Sequence, residues 1–232
     1  MFNRWLSRSR QYPLSIRLTE DPRGVEIKNS SFLNVLIPHA YRLQNMELML
    51  PEAWIPILLQ IAKQATQLKS LNTSANQFKA FATIPQLRDV SVVGYHVPNL
   101  TFPWAQIQRL DAGWDSMDNC FKVLQVCPRL RSCTLLVKDN SSLTLLASEM
   151  QHTTLDVIAE TGEVLDEFLE LLTLPALRSF SVGIKSKESS VFSLLPLIAR
   201  SGCKLDSLFL FGVTPSSDVA ECLHAAPDLR NL

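Results

Sequence analysis

The sequence predicts an α/β fold: a right-handed, horseshoe-shaped solenoid of stacked strand–turn–helix units, with a parallel sheet lining a concave side and helices covering a convex side. Two observations predict it. An apolar pattern recurs at an average of about 23 residues, inside the window of leucine-rich repeats. Segments with helical spacing lie between the copies, and each ends near a helix breaker. One such unit cannot bury its own apolar face, so the units must stack.

The recurring pattern is an apolar residue, two variable residues, a second apolar residue, one variable residue and a third apolar residue. In chain order the copies are Leu43-x-x-Met46-x-Leu48, Leu87-x-x-Val90-x-Val92, Ile107-x-x-Leu110-x-Ala112, Leu130-x-x-Cys133-x-Leu135, Leu177-x-x-Phe180-x-Val182 and Leu205-x-x-Leu208-x-Leu210. Weaker copies stand at Leu68-x-x-Leu71, around Leu155-x-Val157 and at Leu229-x-x-Leu232. Eight intervals fit between the first and last anchors if a weak anchor falls near His152. Alternation at the fourth to sixth positions is strand periodicity, two side chains in and one out. Helical spacing then groups Cys120, Phe121 and Leu124 on one face over 117–126, and Leu165, Phe168, Leu169 and Leu172 over 164–172. The segments 191–199 and 219–226 look alike. Breakers follow at Cys127-Pro128, Leu174-Pro175, Ser201-Gly202 and Ala226-Pro227. The whole of 1–232 is expected to form a single leucine-rich-repeat domain, incomplete at both ends because no polar capping unit is visible.

Composition narrows the function. With 22 Lys+Arg against 22 Asp+Glu the formal net charge is zero, which argues against a nucleic-acid or acidic-membrane binder. Hydrophobic residues at 47% and charged residues at 19% exclude wholesale disorder. No apolar run reaches the length of a transmembrane helix, and the start MFNRWLSRSR lacks the apolar stretch of a secretory signal. Arg4, Arg8, Arg10 and Arg17 precede the first acid, Glu20, which is also how a mitochondrial presequence reads. The five cysteines (Cys120, Cys127, Cys133, Cys203 and Cys222) form no C-x-x-C pair and have mostly apolar neighbours, so they read as reduced core thiols. Four glycosylation sequons, at Asn29, Asn72, Asn99 and Asn140, read as chance matches without a signal peptide. Cytosol or nucleus is the expected compartment.

No catalytic motif stands out: there is no G-x-S-x-G, phosphate loop, H-E-x-x-H or G-x-G-x-x-G. His39, His96, His152 and His224 have no partner at metal-ligand spacing, and packing explains Cys120, Cys127 and Cys133 better than zinc does. Asp166, Glu167 and Glu170 read as the solvated face of a helix, and Trp104 and Trp114 as core or loop packing beside a strand. No enzyme, metal or cofactor is therefore expected. The candidate binding residues are those that the solenoid leaves on its concave sheet, before and after the fourth position: Asp89 and Ser91, Arg109 and Asp111, Ser132 and Thr134, Ser179 and Ser181, Ser207 and Phe209. Leu136 and Phe211, one step further along their strands, join Phe209 as apolar residues on that face. An exposed aromatic with Arg109 nearby has the composition of a binding hot spot.

Several short pieces then carry a resemblance. They are Trp5-Leu6-Ser7-Arg8-Ser9 with Pro13-Leu14-Ser15-Ile16-Arg17-Leu18, Ile37-Pro38-His39-Ala40 with Glu47-Leu48, Pro103-Trp104-Ala105-Gln106, Cys127-Pro128-Arg129-Leu130, Leu174-Pro175-Ala176-Leu177 and Arg200-Ser201-Gly202-Cys203. Through them nearly the whole chain resembles the leucine-rich-repeat portion of fungal, mushroom-type F-box-like proteins. The resemblance makes the basic start the family's first helix and strand rather than a presequence. It implies a protein target held on the repeats, and a Skp-type adaptor and cullin ligase only if an F-box lies upstream. The rival is a scaffold or decoy that lacks the F-box and binds a partner without delivering it; a hydrolase-like enzyme in an irregular α/β domain is a more distant one. Leu50-Pro51-Glu52, followed by Ile55, Leu58, Leu59 and Ile61, imitates an F-box helix. Pro56 favours a kink or a late start there, and the segment reads as a repeat's convex helix. The chain departs from regular repeats in lacking their asparagine ladder: Tyr95, Asp115, Lys138, Lys185 and Val213 hold those positions.

Overall fold

Tight turns that bury both of their ends set up the strands. The Leu43 amide donates to Ala40 O, Leu68 N to Ala65 O at 3.2 Å, Leu130 N to Cys127 O at 3.0 Å and Leu177 N to Leu174 O at 3.1 Å. All eight of these residues are buried. Pro128 and Pro175 hold the second position of two of the turns, where a fixed φ favours the bend. The first apolar residue of the repeated pattern is thus the residue on which the chain turns into a strand. The structure is a computed structural model and describes residues 2–19, 31–74, 77, 79–81, 83–93, 103–113, 116–137, 148–149, 151–185, 193–212 and 229–231. The helix expected over 219–226, with Trp114, His96, His224 and Cys222, lies outside them.

The chain divides into two compact units, Met1–Ile107 and Gln108–Leu232. The first contains α1 (Phe2–Arg8), β1 (Leu14–Thr19), α2 (Ser31–Asn34), β2 (Leu43–Met49), α3 (Ile55–Gln64), β3 (Ser70–Ser74) and β4 (Asp89–Val93). Its strands pair in parallel, β1 with β2, β2 with β3 and β3 with β4. Ile16, Met46, Leu71 and Val90 stand in register, and all four are buried. One row further along, Leu18, Leu48, Thr73 and Val92 stand in register. The buried Thr73 donates to Gln77 Oε1 at 3.2 Å, and Gln77 Nε2 donates to Leu50 O, so a hydroxyl fills an apolar position with its hydrogen bond made. Helix α3 begins at Ile55 with Pro56 in its first turn, where the missing amide costs nothing, after a 3-10 turn at Glu52–Trp54. Its buried face is Leu58, Ile61 and Ala62. Arg42, itself buried, grips the end of the preceding turn through Tyr12 O (2.9 and 2.8 Å), Ser9 O (3.0 Å) and Ser9 Oγ (2.7 Å).

The second unit contains β5 (Arg109–Gly113), α4 (Met117–Val126), β6 (Ser132–Val137), β7 (Ser148–Glu149), β8 (Thr154–Ala159), α5 (Gly162–Glu170), β9 (Leu172–Thr173), β10 (Ser179–Ile184), α6 (Leu195–Ser201) and β11 (Ser207–Phe211). The main strands pair in parallel, in the order β5, β6, β8, β10, β11. Leu110, Cys133, Leu155, Phe180 and Leu208 form one buried row; Ala112, Leu135, Val157 and Val182 are buried in the next. Helix α4 starts at Ser116, whose Oγ accepts from Asn119 N at 3.4 Å, and buries Met117, Cys120, Phe121, Val123 and Leu124. Thr161 caps α5 in the same way through Val164 N. The Phe121 and Phe168 rings meet at 5.1 Å between centroids, joining the apolar faces of the two helices.

The α/β class and the parallel pairing are as expected. Two boundaries differ. The segment expected as helix over 164–172 is helical from Gly162 to Glu170, and Leu172 belongs to a short strand paired with Ser148–Glu149. The helix expected from 191 begins at Leu195, with Pro196 in its first turn. It ends at Gly202, whose φ of 57° is the left-handed cap that glycine adopts without strain. Arg200 and Ser201 bind the preceding turn: Arg200 donates to Leu169 O and Leu172 O, and Ser201 Oγ accepts from Leu174 N at 2.9 Å.

Candidate functional site

A strand with one buried face turns its alternate residues the other way. In the second unit these form three rows across the sheet. The first holds Arg109, Ser132, Thr154, Ser179 and Ser207; the second Asp111, Thr134, Asp156, Ser181 and Phe209; the third Gly113, Leu136, Ile158, Gly183 and Phe211. The polar members other than Arg109 and Asp111 are half-buried, while those two are exposed.

The apolar members differ from their setting. Phe209 is 39% exposed, Phe211 59% and Ile158 38%, and Leu136 is half-buried beside them. Two glycines of the third row lie beside these side chains. A Cβ at Gly183 would stand 3.6 Å from Ile158 Cγ1 and 3.9 Å from Phe211 Cβ; one at Gly113 would stand 3.8 Å from Leu136 Cδ2. These are ordinary contact distances, so the buried Gly183 is flanked from both sides by Ile158 and Phe211, which make one apolar ledge along the ends of β8, β10 and β11. Gly212 turns the chain directly after the ledge. Its φ is 66°, and a Cβ there would lie 2.5 Å from Ile184 O.

Asp156 lies in the row beneath. Its Oδ2 accepts from Thr134 Oγ1 at 3.4 Å, and Ser181 hydrogen-bonds it from the other neighbouring strand. Partial burial raises its pKa above the ordinary carboxylate value despite these bonds, and the like charge of Asp111 adds to the rise.

In the first unit the corresponding positions are filled differently. Arg17 Nε meets Glu47 Oε2 at 2.6 Å, and Asn45 Nδ2 donates to Ser15 Oγ at 2.8 Å. With Ser70 and Asn72 these residues line a hollow of about 270 Å³, into whose wall Asn72 Oδ1 is buried with no hydrogen-bond partner among the described residues. Asp89 and Ser91 are half-buried on β4.

No protein-family model and no curated protein matches the chain. Its candidate site is therefore read from its own geometry.

The candidate residues chosen by pattern fall on one face of each unit's sheet. Two expectations need correcting in detail. Arg109 and Phe209 are not neighbours: they stand on the first and fifth strands of the second unit, about 19 Å apart at the usual strand spacing. Asp166, expected on a solvated helix face, accepts from Ser193 N at 3.0 Å and anchors the segment before α6. The reading by pattern also missed Thr154, Asp156 and Ile158, and in the first unit Ser15, Arg17, Asn45, Glu47, Ser70 and Asn72. The signal for the former was present: with His152 as a first position, the flanking rule assigns 154, 156 and 158 directly.

Cys120, Cys127 and Cys133 are buried together, and removal from water raises all three thiol pKa values, that of Cys127 to about 12. Among the described residues no group of three or more His, Cys, Asp and Glu could hold a metal ion. No helix among them is long and apolar enough to cross a membrane.

Proposed function

We propose that this chain is a non-enzymatic protein-recognition domain, a leucine-rich-repeat solenoid that binds a protein partner on the concave face of its sheet. The observation that carries the reading is the exposed ledge of Ile158 and Phe211, with Phe209 beside it on rigid, paired strands. Large apolar side chains that the fold leaves in water on a rigid surface are the usual anchors of protein interfaces. The in-register apolar rows and the tight turn before each of several strands support the repeat reading. On the resemblance set out above, that partner is a target for a cullin-type ubiquitin ligase only if an F-box upstream binds a Skp-type adaptor; without one the chain is a scaffold or decoy that holds its partner without delivering it.

The test is affinity purification of the protein, tagged at its chromosomal locus, beside a Phe209→Asp/Phe211→Asp variant. The variant is expected to lose the partner while its melting temperature changes little. Adaptor and cullin peptides in both samples carry the ligase reading; their absence from both makes the chain a free-standing scaffold. A large fall in melting temperature would show that the rings are packing residues, and partners retained by the variant would put recognition elsewhere.

A further inference from the structure

The row beside the ledge narrows the chemistry of the partner, given that the exposed sheet face is its binding site. A carboxylate offers about four acceptor positions, and Thr134 and Ser181 take up two at Asp156. Among the described residues the charged group acting on Asp156 is Asp111, of the same sign. Arg109, a cation on this face, stands two strands away and one row across. The face therefore sets a half-buried negative charge, held in place from both neighbouring strands, about 7 Å along β8 from the apolar Ile158. A charge in that position is offset by a partner cation, and the ledge by a partner apolar group, with the spacing of alternate residues in an extended chain.

We infer that the second unit binds an extended protein segment in which an arginine or lysine seats on Asp156 and an apolar side chain two residues away lies on Ile158 and Phe211. The basic head completes the acceptor set of Asp156 between Thr134 and Ser181. The stem of the basic residue is long enough to lie on apolar surface while its head reaches the carboxylate.

The test selects ligands for the full chain from a phage-displayed library of random dodecapeptides, beside Asp156→Asn and Phe211→Asp. The wild type is expected to enrich peptides with Arg or Lys two positions from an apolar residue. In a synthesised winner, changing the basic residue to Gln should weaken binding to the wild type about tenfold or more, and binding to Asp156→Asn less than about twofold. Phe211→Asp should weaken every winner. Winners that need Phe211 but carry no basic residue, or whose basic residue matters equally in Asp156→Asn, overturn the inference and leave the binding face standing. Winners indifferent to Phe211 overturn both, as does a library that yields nothing above blank matrix. Sedimentation of the free chain covers the remaining occupant: a dimer that Phe211→Asp converts to monomer puts a second copy on the ledge and overturns the inference.

Discussion

The two units build the same kind of sheet and finish its exposed side in opposite ways. In the first, residues that face each other across β1 and β2 satisfy one another: Ser15 with Asn45, and Arg17 with Glu47. In the second, the equivalent positions hold a partly buried carboxylate, Asp156, beside another acid, Asp111, and one row further along stands a ledge of Ile158 and Phe211. The buried sides do not differ in this manner, since both consist of in-register rows that are apolar apart from the hydrogen-bonded Thr73 of the first unit. The lesson is that the inward positions specify the sheet, whereas the outward positions are free to be closed on themselves or left open to a partner. A surface that costs the free protein something, in exposed apolar area and a partly buried carboxylate, is where a binding function is to be sought.

The largest effect that would break this division lies on the buried side of β10. Phe180 is among the largest fully buried side chains, in register with Leu155 and Leu208. Phe180→Ala should cost about 3–5 kcal/mol in urea unfolding at 25 °C, by lost burial and the cavity left behind. The peptides that bind the wild type should still bind the fraction that remains folded. A cost below about 1 kcal/mol would mean that the inward face of the second unit is not a packed core, and the contrast with Phe211 on the neighbouring strand would collapse.

How much of this was legible beforehand depended on whether a position kept its residue type. The six good copies of the apolar pattern became strands because an apolar residue stood at each inward position, Met46, Ala112 and Cys133 included. The two internal weak copies were weak for one reason: a polar residue occupies an inward position and makes a hydrogen bond inside the protein. Thr73 does so through Gln77, and His152 through a 2.8 Å contact of Nδ1 with Leu130 O, with Nε2 buried and without a hydrogen-bond partner among the described residues, and the pKa of His152 is lowered by burial. A pattern of apolar letters cannot register such a substitution, since the compensating group is 22 residues away in the case of His152. That is why Asp156 and Ile158, which flank the weak copy, were missed although Phe209 and Phe211 were found. The separation of Arg109 from Phe209 was equally illegible, because spacing within a strand carries no information on how many strands intervene.

A smaller effect sharpens the account of the exposed row. The pKa of Asp156 is raised in the folded protein, chiefly by burial, so folding favours its protonated form. Its contribution to stability is therefore present below the unfolded-state value of about 3.9 and lost as pH rises through the folded value. At neutral pH the ionised group weakens the fold. Asp156→Asn, which keeps an acceptor for Thr134 and Ser181, should raise the urea midpoint at pH 7, by a few tenths of a kcal/mol once screening of a half-exposed group is allowed for. The gain should shrink as the pH is lowered into the carboxylate range. A loss of stability at pH 7 would instead make Asp156 a structural residue of the sheet, as the paired residues of the first unit are.

The smallest expected effect is at Arg17, and its smallness is the point. Arg17 is 73% exposed on its side chain and Glu47 27%, so their 2.6 Å contact forms in water rather than in the interior. The attraction there is screened by salt and opposed by the entropy of holding two long side chains together. Arg17→Met should leave the urea midpoint unchanged within error, and the affinity of the selected peptides unchanged within about twofold. If the pair instead steers the partner, the substitution will lower the association rate and flatten its dependence on salt, because a charged residue at the rim acts mainly on the encounter. Rapid-mixing measurements at low and physiological ionic strength read that difference directly. A salt-dependent loss would make the hollow of the first unit part of the recognition surface, and the self-paired face would no longer be the closed one.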